Sequence, residues 1–259
     1  MNVWLSEIWR TWRASFRRPG FLCLGVVVLA LGVGATASVF TLIDNALLKP
    51  LPFPQASRLV LAGGRVGETY SASASIAQLL RQVHGVGSLG LFQNARSANV
   101  LIDGVATHIS AMAITRGLLP TLGIHMALGR NFSARENAGD GPAAVILSHG
   151  YWVRQFGADT GVLGRRIEVE GTPRTVVGVL PSQFAAVTAT ADWLGGGVAV
   201  VLPLNLPKDL ANPNSNNLVY DAVARLTPGA DLHAASVEFD SRVRAYYANS
   251  SLGEIARYW

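Results

Sequence analysis

Hydrophobic residues run unbroken near the start of the chain and alternate with polar ones after it. Residues 21–40 read FLCLGVVVLALGVGATASVF and carry no charge. A helix of about 20 residues rises about 30 Å, the thickness of bilayer hydrocarbon, so this stretch is expected to span a membrane. Backbone in lipid must pair internally, which makes the span a helix despite its glycines and valines. Leu42, Ile43, Ala46, Leu47 and Leu48 continue the helical spacing to residue 48, and Pro50, Pro52 and Pro54 then end it. Before the span, Trp4, Leu5, Ile8, Trp9, Trp12 and Phe16 recur at helical spacing with arginines between them, the pattern of a short helix lying in the interface.

Beyond residue 55 the periods shorten. Strands are expected at 58–62, 86–92, 98–102, 107–113, 143–147, 166–169, 175–179, 198–202 and 218–226, and helices at 75–84, 115–122, 148–156 and 231–248. Glycine, proline and asparagine separate them. The fold class is therefore α+β: a single N-terminal transmembrane helix followed by a mixed α/β extracytoplasmic domain. The early strand and helix match the late strand and helix in order. That suggests a core domain over 55–250 with a β-rich subdomain inserted at about 110–215. Residues 1–20 form a cytoplasmic interfacial stub, and 21–48 the membrane helix with its extension.

Charge sets the orientation. The first 20 residues hold Arg10, Arg13, Arg17 and Arg18 against Glu7, a net +3, whereas the remaining 17 basic and 15 acidic residues net only +2. Basic residues beside a first span stay in the cytoplasm, so the N-terminus is expected inside and the main domain outside. Trp9 and Trp12, with those four arginines, are the topology and interface residues. Ala30, Gly34 and Ser38 fall four apart, a small-residue stripe that another helix could approach closely. A cleaved signal peptide competes for the same stretch, since Ala35-Thr36-Ala37 has a cleavage-site form, but the apolar run is longer than such a region needs. Nucleic-acid binding is not expected, because the large domain carries no basic cluster.

Catalytic motifs are missing or misplaced. Gly85, Gly87 and Gly90 spell G-x-G-x-x-G, yet a helix precedes them and a strand follows, the reverse of a dinucleotide site. No P-loop occurs, so any nucleotide must be bound by another chain. His84, His108, His125, His149 and His233 are scattered without metal-ligand spacing, and no G-x-S-x-G turn surrounds Ser148. Neither an enzyme nor a cofactor is expected. The lone Cys23 permits no intramolecular disulfide.

Several ordered motifs carry a resemblance. Ala30-Leu31-Gly32-Val33-Gly34-Ala35, leading to Ala46-Leu47-Leu48-Lys49-Pro50-Leu51-Pro52-Phe53-Pro54, resembles the first helix and exit of MacB-like (FtsX-related) ABC transporter permeases. Leu118 to Ile124, Ala127-Leu128-Gly129-Arg130-Asn131-Phe132 and Val145 to Trp152 resemble their periplasmic core domain. The most specific stretch is GTPRTVVGVLPSQF at 171–184. Within it Gly171, Gly178, Pro181 and Phe184 are read as structural: Gly178 leaves room inside a strand, Pro181 ends that strand and Phe184 packs under the sheet.

The resemblance implies a permease component of the bacterial inner membrane that couples a separate ABC ATPase to a periplasmic domain, with membrane lipid and other permease subunits as partners. No second apolar run of about 20 residues follows, so the family's later helices are missing from this sequence and the component is expected to be complete only with other chains, or truncated. The alternative is a signal-anchored periplasmic binding or scaffolding module without ATPase coupling.

Overall fold

The computed structural model describes residues 20, 24, 26–34, 53–66, 69–184, 197–206 and 220–248. The chain divides into two compact units, Met1–Pro50 and Leu51–Trp259. In the first, residues 26–34 are helical, with Val26, Val27, Val28, Leu29, Leu31 and Val33 exposed. Among the described residues no helix is long and apolar enough to cross a membrane. Most of the expected 21–48 span, and all of the interfacial stub before it but Gly20, lie outside the described residues.

The second unit is built on a nine-stranded sheet. Its strands in chain order are β1 (Leu59–Ala62), β4 (Val86–Ile102), β5 (Val105–Ile114), β6 (Leu128–Gly129), β7 (Ala144–Leu147), β8 (Arg166–Val169), β9 (Thr172–Val179), β10 (Val200–Pro203) and β11 (Asp221–Leu226). A separate hairpin joins β2 (Gly64–Val66) to β3 (Thr69–Ser71). Among the described residues the helices that accompany them include α1 (Ala74–Leu80), α2 (Leu118–Leu122), α3 (Ala134–Ala138), α4 (His149–Phe156) and α5 (Leu232–Tyr247).

Strand order is β1-β11-β4-β5-β10-β7-β9-β6, with β8 bridging β9 back to β4. The hydrogen-bonded succession β4-β5-β10-β7-β9-β8 therefore returns to β4 and closes a ring of six strands. Side chains alternate across it as a period of two demands. Val145 and Leu147 of β7 point into a core with Val100, Ala111, Ile167, Val169, Val176, Val179 and Val200. Ile146, Met112, Ile114 and Val201 point the opposite way, into a second core with Phe92, Phe132, Phe184 and all three leucines of α2. A third core lies where α1 and α5 cover β1, β11 and the start of β4. Helix α5 buries Ala235, Phe239, Val243 and Tyr247, and Glu238 joins Arg242 to His84 beyond the end of α1. Arg242 first, and His84 after it, hold the Glu238 carboxyl at about 2.

Local signals explain most helix starts. Ser73, Ser133, Ser148 and Asp231 each cap a helix by accepting a backbone N–H. Several expected boundaries shift. The strands expected at 86–92 and 98–102 are one strand of 17 residues, β4, which continues through an irregularity between Gln93 and Arg96 as it changes partners from β11 to the outer half of β5. Asp103 and Gly104, both at positive φ, then turn it into β5 as a two-residue hairpin. The helix expected at 115–122 starts only at Leu118, because Thr115 spends its hydroxyl and N–H on Leu91. The strands between 110 and 203 extend the same sheet that β1 and β11 begin.

Candidate functional site

Near its start the second unit runs through Phe53, Pro54 and Gln55, an irregular segment tied down by packing and by side-chain hydrogen bonds. Phe53 is 6% exposed and sits in the core of α2, Phe132 and Phe184. Pro54 lies over Gly123, where a Cβ would meet its ring at 3.1 Å. Gln55 then takes a left-handed conformation, φ 51° and ψ 50°, before a single turn of 3-10 helix at Ala56–Arg58 leads into β1. A non-glycine residue held there costs about 1–3 kcal/mol and persists only where its surroundings fix it.

Two arginines do the fixing. Arg225, opposite Leu59 in the β1–β11 ladder, donates from Nε to Thr121 O at 2.7 Å and from Nη1 to Pro54 O at 2.8 Å and Gln55 O at 3.3 Å. Arg58 donates from Nε to Leu226 O at 2.7 Å and from Nη1 to the Gln55 side-chain oxygen, and its own N–H is taken by Gln55 O at 3.0 Å. One guanidinium thus joins the entry segment, the end of α2 and β11. Burial, and then the nearby Arg58 charge, push Arg225 below the usual arginine range. Arg225 Nη2 and Thr121 Oγ1 are buried without a hydrogen-bond partner.

A second polar constellation backs the same core. Arg130 pairs bidentately with the buried Glu136, at 2.9 and 2.8 Å, and Glu136 closes a capping box with Ser133. The Arg130 hydrogen bond leads the causes that hold the Glu136 carboxyl down to about 2. Asn137 Nδ2 reaches Ile114 O at 3.3 Å and Leu204 O at 3.0 Å, tying the ends of the parallel strands β5 and β10 together.

The residues singled out in the sequence fall in three places. Gly178 lies against Gly129 and Arg130: a Cβ on it would stand 2.6 Å from Arg130 O and from Met126 Cε. Pro181 follows β9, and Phe184, whose N–H bonds Pro181 O at 3.0 Å, shares the core that holds Phe53. Gly171 is remote from these, at φ 72° in the β8–β9 turn. Ala30 and Gly34 are helical, whereas Ser38 and Trp9, Arg10, Trp12, Arg13, Arg17 and Arg18 lie outside the described residues. Arg225, Thr121, Glu136 and Asn137 escaped the sequence reading.

The serine and histidine singled out in the sequence serve local structure. Ser148 Oγ accepts from Tyr151 N as a helix cap, and the His149 ring stacks edge-on to Trp152 at 5.5 Å. Gly85 lies in the turn before β4 and Gly87 and Gly90 lie on the strand, with Gly90 so close beneath Leu118 that a Cβ would stand 2.3 Å from its Cα. Among the described residues no three His, Cys, Asp or Glu side chains gather as metal ligands. The site binds main chain, and what it can do is hold the entry of the chain rigidly against the sheet.

No curated protein sequence matches the chain. Solved structures share its fold, among them the following three. A domain of a putative permease from Porphyromonas gingivalis aligns at 17% identity and a TM-score of 0.55, covering 77% of this chain and 88% of the other. The periplasmic region of MacB from Actinobacillus actinomycetemcomitans aligns at 12% identity and 0.53, covering 73% and 84%. The extracellular domain of YknZ, a noncanonic ABC-type transporter from Gram-positive bacteria, aligns at 16% identity and 0.50, covering 74% and 94%. The family model described as the MacB-like periplasmic core domain matches residues 23–242, from inside the apolar run almost to the end of α5, so the chain belongs to the MacB-like periplasmic core domain family of ABC transporter permeases.

Proposed function

We propose that this chain is the membrane-anchored permease component of a MacB-like ABC transporter, in which residues 21–48 cross the inner membrane and the domain beyond residue 50 works in the periplasm. A separate ATPase binds the nucleotide, and its motion reaches the periplasmic domain through the anchoring helix and partner permease helices. The observation that carries this reading is the extent of the family match, which joins the apolar run to the whole domain at residues 23–242. The arginines of the stub favour a cytoplasmic N-terminus, Trp9 and Trp12 suit the headgroup layer, and Ala30, Gly34 and Ser38 offer partner helices a close approach. The bonded entry at Phe53 supports it too, since motion of an anchor is useful only if the domain follows.

Two measurements test the reading together. Protease added to spheroplasts is expected to digest the domain after residue 50, and solubilisation in mild detergent is expected to recover an ABC ATPase with the chain. A domain left intact in spheroplasts would refute the topology. Repeated purification with no ATPase or permease partner would refute the coupling.

A further inference from the structure

Held as it is, the entry turn is an expensive solution for stability alone. Arg225 is half-buried, with its Nη2 buried and unpartnered, and it faces a second cation, Arg58, while no carboxylate pairs with it among the described residues. An apolar side chain of similar volume could fill the same space. What an apolar residue cannot do is hold three carbonyls from two segments far apart in the chain. The guanidinium holds its donors in a rigid fork, and Arg225 uses those of Nε and Nη1 on Thr121 at the end of α2 and on Pro54 and Gln55 of the entry segment, while its backbone belongs to β11. Lysine has the charge without the fork. The captured residue is Gln55, whose left-handed backbone would relax to an extended form if released.

We propose that Arg225 is the positioning residue of the entry joint: its guanidinium locks the turn at Gln55 to α2 and β11, so that a displacement of the chain at Phe53 is carried into the nine-stranded sheet as a rigid-body movement. Only the purpose of the lock rests on the permease reading. The lock itself is a property of this domain and is measured without any ATPase.

The test uses the full chain in lipid nanodiscs with Cys23→Ser. Spin labels go on Ser57→Cys in the entry turn and Gln155→Cys on α4, both exposed positions. The unsubstituted joint is expected to give one narrow distance, and Arg225→Ala a broad one. Amide exchange at Arg58 and Leu59, whose N–H groups close the entry turn, should accelerate about tenfold in the variant while the amides of Ala144–Leu147 in β7 stay unchanged. Arg225→Met, which refills the volume, should give the same local result if the alanine variant folds poorly. Arg225→Lys should resemble methionine.

Three results would overturn the proposal. One is an unaltered distance and exchange pattern in Arg225→Met. Another is equal acceleration in β7, which would make the arginine merely structural. The third is full recovery by lysine, since charge alone would then suffice. An intact lock in a chain that recruits no ATPase would sink the transporter reading and leave this one standing.

Discussion

Two carboxylates in this domain are shifted in opposite directions, and the signs separate their roles. Glu136 is held at about 2, below its ordinary 4.5, so its pairing with Arg130 stabilises the fold fully above pH 4.5 and is lost as the pH falls toward 2. Glu136→Gln should therefore cost about 2 kcal/mol at pH 7, the range for a hydrogen bond to a charged group, and progressively less below pH 4.5. Denaturation of both forms at the two ends of that range checks it. Asp221, at the start of β11, is pushed up by burial to about 6 from 3.8. Its ionisation penalises the folded state as the pH rises from 3.8 to 6, and the penalty stays constant above that. Asp221→Asn should accordingly raise stability by about 1 kcal/mol at pH 8 and leave it unchanged at pH 3, as read from melting curves. Equal effects at both pH values would mean that packing, and not charge, is what the substitution altered.

At the scale of elements, close approach of backbone decides what packs where. Helix α2 lies on β4 because Gly90 has no Cβ, and a methyl there would stand 2.3 Å from Leu118 Cα. Gly90→Ala should lower stability by about 3 kcal/mol, the upper range for overpacking, and the melting temperature by about 6 °C or more. Gly104→Ala is the matched control: its φ of 83° strains an alanine, but open space surrounds it, so about 1 kcal/mol is expected. Much at this scale was written in the sequence. Ser148 before an apolar-periodic run, and Asp231 after Pro228-Gly229, announce α4 and α5 in the ordinary language of caps.

What escaped was hidden for physical reasons. Asn94 to Ser97 read as a turn, yet Asn94, Arg96, Ser97 and Asn99 are simply the exposed side of a strand that continues past an irregularity. Asp103-Gly104 spells a two-residue hairpin turn between β4 and β5. Helix α3 carries the S-x-x-E signature at Ser133 and Glu136 but is too short for any apolar period. The entry joint left no local trace, because Arg225 is separated by 104 residues from Thr121 and by 171 from Pro54, and main-chain carbonyls have no sequence signature.

For the domain as a whole, the closed ring of strands makes a rigid body out of elements that an open sheet would leave free to shear. β7 and β9 sit inside it with a partner on each side, and their side chains fill two cores at once. β1 is different: its described partner is β11 alone, and Leu61 is exposed. A load arriving at Phe53 therefore meets a soft margin in the ladder and a stiff centre in the ring, and the joint to α2 and β11 reinforces the β1–β11 and β11–β4 ladders that connect the two. Hydrogen exchange resolves that gradient. The amides of Val145, Ile146 and Leu147 should open only with global unfolding, those of β1 by local opening that is at least tenfold more frequent, since a margin strand frays without disturbing the ring. If instead the ring and β1 exchanged at one common rate, the molecule would open as a single unit, and no distinction between margin and centre would survive.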